Sequence, residues 1–169
     1  MEGLINGILE YSRVGQKKVK IEKVYVQKLM PELSQMAKNI THKEVEFHYP
    51  KELPIIETHL VSLKQVLQNL ISNAIRFTEG HAPDIYINAV THERNWLFSV
   101  TDTGRGISPE QHSSLFNLFH RDSTEGVSRE SGVGLAICEK IVRWHGGKIW
   151  LESEVGKGST FYFTIPLSE

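Results

Sequence analysis

The chain has 169 residues, which is enough for one main domain and a short additional element. Apolar residues make up 40% and charged residues 23% of the chain, which is typical of a globular protein and excludes a disordered or fibrous one. Nineteen basic residues against 20 acidic ones leave a net charge of -1, so we expect no binding to nucleic acid and no contact with a membrane surface.

The cysteine content and hydropathy bear on the cellular compartment. Cys138 is the only cysteine, so it has no partner for a disulfide or for a metal site, which indicates a reducing compartment. No stretch approaches the ~18 apolar residues of a membrane span, and the first residues do not resemble a secretion signal. We therefore expect a cytoplasmic location for this chain, whether or not a longer parent protein is anchored in a membrane.

The N-terminal residues predict a helix that cannot form a core alone. Apolar residues repeat at helical spacing within residues 1–15, and the pattern stops at Gly15. The apolar stripe is too short for a separate core, so this helix needs a partner helix. Residues 16–25 are polar and basic and are interpreted as a linker. Residues 26–169 are then the main domain.

The order of helical and strand patterns in the main domain indicates its fold class. The predicted elements are a helix at 26–41, strands in EVEFHY and PIIET, a helix at 60–77, a hairpin of DIYINAVTH and NWLFSVTD around Glu93 and Arg94, a short helix near 108–115, a mobile loop at 117–131, a helix at 132–145 and a closing hairpin in KIWLESEVGKGSTFYFTIP. Helices and strands do not alternate one by one, which argues against a parallel doubly wound sheet. The order favours an α+β fold, a two-layer sandwich whose mixed, mostly antiparallel sheet carries helices on one face.

The helix at 60–77 has a polar face of unusual content. Stepping about 100° per residue places six polar residues on one narrow face, opposite an apolar stripe. These residues are Ser62, Gln65, Asn69, Ser72, Asn73 and Arg76. Amide oxygens are neutral ligands suited to Mg²⁺, and Arg76 can pair with the phosphates of the same ligand. An ordinary polar helix face is the alternative interpretation.

Two further segments carry residues that could hold a ligand. Asp102 ends an apolar strand and begins DTGRGI, and the alternation of side chains directs it toward the core. A buried carboxylate needs a hydrogen-bond donor, which a ligand amino group could supply; the alternative is a simple turn cap. Gly132 and Gly134 precede a helix, where free backbone amides attract phosphate, although a plain entry turn would look the same.

Taken together, these segments resemble the ATP-binding catalytic domain of sensor histidine kinases, in the superfamily that also contains DNA gyrase, the ninety-class heat-shock chaperones and the mismatch-repair ATPases. QVLQNLISNAIRFT is similar to the N box, DTGRGI to the first glycine box, LFNLF to the phenylalanine box and SGVGLAI to the second glycine box. HGGKIWLESEVGKGSTFYFTIP resembles the closing hairpin of the family. The resemblance implies a Bergerat-type sandwich over the main domain, with ATP and Mg²⁺ as cofactors.

The resemblance also implies roles for individual residues. Asn73 would bind Mg²⁺ with support from Asn69, and Asp102 would accept the adenine amino group. Phe116 and Phe119 would anchor the loop as a lid. The other nucleotide-binding residues would be Arg76, Gly104, Gly106, Ile107, Gly132, Val133, Gly134 and Leu135, and the catalytic residues Asn69, Arg76 and Arg121.

The N-terminal segment and the histidines suggest how the chain would act. Residues 1–15 resemble the end of the second helix of the dimerisation and phosphoacceptor hairpin, and none of the eight histidines stands in an acceptor motif of the family. The resemblance therefore implies a catalytic fragment that does not phosphorylate itself. Its partners would be its own phosphoacceptor hairpin and a response regulator, within a homodimeric parent.

Competing interpretations differ in the chemistry after nucleotide binding. Asn69 favours a kinase, because hydrolytic relatives place a glutamate at that helix position to activate water. Arg76 replaces the more usual lysine, and Glu130 stands where the second glycine box often begins with glycine, so nucleotide affinity is open. A degenerate nucleotide-binding or docking module without phosphotransfer is the main alternative. A serine kinase for an anti-anti-sigma protein is a third, which the N-terminal helix disfavours.

Overall fold

The structure, a computed structural model, describes residues 2–118 and 132–169. The elements in these two ranges are, in chain order, α1 (Glu2–Arg13), β1 (Glu22–Tyr25), α2 (Val26–Ile40), β2 (Glu46–His48), β3 (Ile55–Thr58), α3 (Leu60–Arg76), β4 (Asp84–His92), β5 (Asn95–Asp102), α4 (Pro109–His112), α5 (Gly134–Trp144), β6 (Ile149–Glu154) and β7 (Gly158–Pro166). Among the described helices, none combines the length and the apolar character needed to cross a bilayer.

The main sheet has five strands in the order β2, β4, β5, β7, β6. All neighbours are antiparallel except β2 and β4, which run parallel. In the central hairpin His92 pairs with Asn95, so Glu93 and Arg94 form a two-residue turn, and Glu93 takes a positive φ of 54°. The predicted hairpin and the mostly antiparallel α+β sandwich are therefore confirmed.

Three helices cover one face of this sheet. Helices α2, α3 and α5 each bury an apolar stripe, and the strands below them bury alternate side chains. In the centre, the rings of Phe98 and Phe163 stack with centroids 4.8 Å apart. Each fully buried side chain of this size contributes roughly 1.5–3 kcal/mol. On the opposite face Tyr86 and Trp150 remain exposed, so the sandwich has two layers.

The segment interpreted as a linker is partly structured. Residues Glu22–Tyr25 form β1, which pairs antiparallel with β3 in a separate two-stranded sheet. Val24 is only 3% exposed, and burial of this side chain together with the pairing to β3 explains why a polar segment becomes a strand. The four residues of β1 are too few for an alternating pattern to be recognised in the sequence. Strand β3 pairs with β1 and not with β2, its predecessor in the chain.

Helix α1 packs against the main domain. The ammonium group of Lys140 on α5 donates a hydrogen bond of 2.8 Å to the carbonyl oxygen of Tyr11 and lies 4.2 Å from the centroid of its ring. Gly15 sits beside the indole of Trp144. Helix α1 therefore contacts α5 through Tyr11 and Gly15, whereas Ile5, Ile8 and Leu9 of its apolar stripe remain exposed. The domain division at residues 15 and 25 remains a prediction.

Candidate functional site

Helix α3 forms one wall of a cavity of about 350 Å³. The residues of α3 that line it lie on the predicted polar face: Asn69, Ser72, Asn73 and Arg76. Asn73 is 7% exposed, and its Nδ2 has no hydrogen-bond partner in the part of the chain that the structure describes. Because a buried amide without partners is costly, this group is suited to a ligand.

The same polar face serves a second purpose nearer the start of α3. Ser62 is buried and hydrogen-bonds to Nδ1 of His59 at 2.7 Å, and Gln65 donates a hydrogen bond of 2.6 Å to Glu10 of α1. The side chains of these two residues therefore contact other parts of the fold and not the cavity. Only the C-terminal half of the polar face belongs to the cavity.

Two guanidinium groups lie beside Phe77 at the end of α3. The Cζ atom of Arg76 is 4.9 Å from the centroid of the Phe77 ring, and the Cζ atom of Arg105 is 5.2 Å from it. Both distances are within the range of cation–π contacts. Arg105 also forms an ion pair of 3.7 Å with Glu79. The cavity therefore has two fixed cations at this end, of which the sequence indicated only Arg76.

Asp102 ends β5 and points inward, as predicted. It is 2% exposed, and its Oδ1 accepts a hydrogen bond of 2.9 Å from the backbone N–H of Gly104. Burial raises the pKa of Asp102 to about 6, while the backbone hydrogen bonds from Gly104 and Ser159 act in the opposite direction. The pKa of this carboxyl group therefore lies below neutral pH but near it.

The turn after Asp102 is packed so closely that it requires glycine. A Cβ on Gly104 would lie 2.4 Å from the carbonyl oxygen of Phe77, and one on Gly106 would lie 2.1 Å from that of Glu154. Gly106 also has a φ of +74°, which residues with a side chain rarely adopt. The backbone N–H of Ile107 donates a hydrogen bond of 2.7 Å to Ser153. The turn therefore lies between the end of α3 and the β6–β7 hairpin.

The start of α5 faces the amides of α3. Gly132 takes a φ of +63°, and helix α5 begins at Gly134 with no side-chain cap among the described residues. The Cα of Gly134 approaches Asn69 closely enough that a Cβ there would lie 3.6 Å from Asn69 Oδ1. Uncapped N–H groups at a helix N-terminus attract anions. The cavity thus places amide side chains opposite an anion-binding helix end.

Helix α1 closes another side of the cavity, which sequence patterns did not indicate. Its lining residues are Gly3, Asn6, Gly7 and Glu10. They recur at helical spacing, so they form one face of α1. Glu10 is held by the hydrogen bond from Gln65. A short glycine-bearing helix end gives no signal that it lines a ligand site.

Most of the predicted site residues surround this one cavity. Those that line it are Asn69, Asn73, Arg76, Gly106, Ile107, Gly132, Val133, Gly134 and Leu135. Asp102 and Gly104 are not among its lining residues, and Asp102 is buried at the end of β5. Phe119 and Arg121 fall outside the described residues, as does Glu130. Phe116 is partly buried, with its ring edge-on to Phe161 at 6.4 Å.

The lining suits a ligand with an apolar part and an anionic part. Ile107, Leu115, Val133, Leu135 and Ile137 supply apolar surface. The amides, the two arginines and the helix N-terminus supply polar groups. Such a combination of apolar walls and a few converging polar groups is typical of small-molecule sites, and the cavity falls in their usual size range.

The chain is similar to a known protein family and to solved structures. Residues 58–169 match the family described as "Histidine kinase-, DNA gyrase B-, and HSP90-like ATPase". The fold is similar to full-length ShkA, solved in complex with AMPPNP, at a TM-score of 0.83 and 27% identity over 98% of this chain and 35% of that one. It is also similar to the nucleotide-free catalytic domain of histidine kinase ThkA, at a TM-score of 0.72 and 30% identity over 88% of this chain and 97% of that domain.

Sequence relatives are longer sensory proteins. The chain is 39% identical to cyanobacterial phytochrome A of Nostoc sp. strain PCC 7120, over 99% of this chain and 22% of the phytochrome. It is 33% identical to the adaptive-response sensory kinase SasA of Synechococcus sp. strain JA-3-3Ab, over 99% of this chain and 46% of SasA. The chain thus spans less than half the length of these relatives. It belongs to the histidine kinase-, DNA gyrase B- and HSP90-like ATPase family, as an ATP-binding catalytic domain of the sensor histidine kinase type.

Proposed function

We propose that this chain binds Mg-ATP in the α3–α5 cavity and, within a longer sensor kinase, transfers the γ-phosphoryl group to a histidine that lies outside this chain. The observation that carries the proposal is the position of Asn69 and Asn73 opposite the uncapped N-terminus of α5. Phosphoryl transfer needs positioning and charge neutralisation more than covalent help from the protein. Amides, cations and helix N–H groups around one cavity provide both.

The nucleotide is proposed to lie with its base toward the turn after Asp102. The base would pack on Gly106 and Ile107, and its amino group would donate to the Asp102 carboxylate. The phosphates would then meet Arg76 and the backbone of residues 132–135 at the start of α5. Phe119, proposed as a lid residue, and Arg121, proposed as a catalytic residue, lie outside the described residues.

Mg²⁺ is proposed to be held by Asn73, with Asn69 as a supporting residue. Asn73 lines the cavity, and its amide oxygen is a neutral ligand of the kind that Mg²⁺ accepts. Its buried Nδ2, which has no partner among the described residues, could donate a hydrogen bond to a phosphate oxygen. Mg²⁺, when bound, would neutralise part of the charge of the phosphates. Asn69 and Asn73 would orient the triphosphate from the side of α3, while Arg76 supplies a further positive charge.

The composition of the cavity wall favours transfer over hydrolysis. Among the described lining residues, Glu10 is the only carboxylate, and it accepts the hydrogen bond from Gln65. Helix α3 therefore presents amides at the position where a base would activate water. We propose that the acceptor histidine lies on a helical hairpin to which α1 belongs, that a response regulator receives the phosphoryl group, and that the parent is a homodimer.

Nucleotide binding can be tested with a fluorescent ATP analogue titrated into this chain with and without Mg²⁺. We expect Mg²⁺ to strengthen binding, and Asn73→Ala to weaken it roughly tenfold, about 1.4 kcal/mol. The matched control is Asn39→Ala, which removes an exposed asparagine from another helix. No binding at millimolar ligand would instead favour the degenerate docking module.

The transfer step can be tested with ATP labelled on the γ-phosphate. We expect the chain alone to remain unlabelled, and a separate hairpin fragment that carries the acceptor histidine to become labelled when the chain is added. Acid-labile, alkali-stable label would identify phosphohistidine. Release of inorganic phosphate without labelling, or label on a histidine of this chain, would contradict the proposal.

A further inference from the structure

A cluster of one histidine and two carboxylates lies at the edge of the main sheet, away from the nucleotide cavity. It consists of Glu46 and His48 on β2 and Asp84 at the start of β4. None of the three lines the cavity. We propose that these side chains form a binding site for a divalent transition-metal ion, with Zn²⁺ as the reference ion.

The distances within the cluster suit a single ion. Nε2 of His48 lies 2.9 Å from Oδ1 of Asp84 and 3.7 Å from Oε2 of Glu46. One ligand atom from each residue lies within 4.8 Å of the others. Tetrahedral zinc ligands at ~2.1 Å from the metal stand about 3.4 Å from one another. The observed spacings bracket this value, so small rotations of the side chains suffice to bind an ion.

The strands hold the three ligands in register. Glu46 and His48 are two residues apart on β2, so their side chains project from the same face, and Glu46 pairs directly with Asp84 across the parallel strands. The imidazole of His48 stacks on the ring of Tyr86, with centroids 4.4 Å apart and an interplanar angle of 15°. This stacking orients Nε2 toward the carboxylates. The ligands are thus largely arranged before an ion arrives.

Charge also favours a cation at this position. Two carboxylates approach the same imidazole nitrogen, and a hydrogen bond to Asp84 uses only one of them. Carboxylates that converge without a cation repel one another, whereas a divalent ion balances both and accepts the neutral imidazole as third ligand. The side chains of His48 and Asp84 are about 40% exposed, so water can complete the coordination.

The site would stabilise the weakest part of the sheet edge. Strand β2 has three residues, and its pairing with β4 is the parallel one in the main sheet. An ion that joins both strands would strengthen this pairing, because a metal that binds only the folded state raises its stability. The proposal concerns a structural ion and does not depend on the kinase assignment.

Metal binding can be measured on an untagged chain without nucleotide, with Zn²⁺ by calorimetry and Co²⁺ by its visible absorption. We expect one ion per chain and a higher melting temperature with Zn²⁺. His48→Gln should abolish both effects, and Glu46→Gln, at an exposed position, should weaken binding roughly tenfold. The control His92→Gln removes an exposed strand histidine outside the cluster and should change neither.

The variants also show how the proposal could fail. Stoichiometric binding that survives His48→Gln, or binding that His92→Gln reduces equally, would overturn it, as would the absence of binding at micromolar metal. Circular dichroism of the metal-free variants identifies any loss of fold, and Glu46→Gln keeps the test open if His48→Gln does not fold. Unchanged nucleotide binding in these variants would show that the metal site is separate from the cavity.

Discussion

The two walls of the proposed nucleotide cavity differ in which atoms form them. On α3 the functional groups are side chains, and the backbone behind them is an ordinary helix. In the turn at residues 102–107 the backbone itself forms the cavity wall, and this backbone packs closely against the carbonyl groups of Phe77 and Glu154. Changes on α3 should therefore affect ligands more than folding, whereas changes in the turn should affect both. The Asn73→Ala titration tests the α3 wall, and three further predictions test the turn.

The largest effect is expected at Gly106. Replacing it by alanine adds a Cβ that meets the Glu154 carbonyl oxygen at 2.1 Å in a backbone with φ +74°. We expect Gly106→Ala to lower the free energy of unfolding by at least about 3 kcal/mol, measured by urea denaturation. The matched control is Gly80→Ala, whose φ is +80° but which has open space around it. It should lose only about 1 kcal/mol, and equal losses would show that contact is not the cause.

The next effect concerns Asp102, where stability and binding should change in opposite directions. Its pKa in the folded chain is raised from 3.8 to about 6, so the folded chain holds more protons than the unfolded chain between these values. Stability is therefore lost as the pH rises through this window, by up to about 3 kcal/mol. Asp102→Asn should remove this loss, and the ligand-free variant should be more stable than the parent at pH 7.

Nucleotide binding provides the second measurement on Asp102. The same Asp102→Asn variant should bind the ATP analogue roughly a hundredfold more weakly, because the carboxylate that would accept the adenine amino group is gone. Thermal unfolding between pH 4 and pH 8 and a binding titration at pH 7 together check both parts. A variant that binds normally would show that Asp102 is only a turn cap, the alternative that the sequence left open.

The smallest effect is expected at Arg105. Its guanidinium lies over Phe77 and lines the cavity near Arg76. Arg105→Gln should weaken nucleotide binding about threefold to tenfold, and Arg105→Lys should restore part of it, because one positive charge near the phosphates is retained. Arg94→Gln, at an exposed turn, is the control. If Arg105→Gln lowers the melting temperature but leaves affinity unchanged, the residue serves packing alone.

Local sequence patterns were sufficient to predict many of the helices and strands. The apolar period of residues 60–77 predicted α3 to within one residue, and alternation predicted both strands of the β4–β5 hairpin and the burial of Asp102. These patterns can be recognised in the sequence because each is repeated several times along one element. The pairing of β1 with β3 was missed, because four residues carry too short a pattern and their partner lies over 30 residues away.

The candidate site was also predicted only in part from the sequence. The spacing of Asn69 and Asn73 placed both amides on one side of α3, and both line the cavity. The close packing of residues 103–106 on the end of α3 and on the β6–β7 hairpin was not predictable, since it joins segments distant in the chain. The same holds for the wall contributed by α1 and for the second guanidinium over Phe77.

The amino-acid sequence by itself determined the helix faces, the strand alternation and the ordered motifs that mark the ATPase family, because these depend on neighbours a few residues apart. Only the tertiary structure decided which of these residues share a cavity, how deeply Asp102 is buried, and that Glu46, His48 and Asp84 meet at one sheet edge. The physical reason is that such contacts join segments distant in the chain, whose approach is set by packing of the whole core.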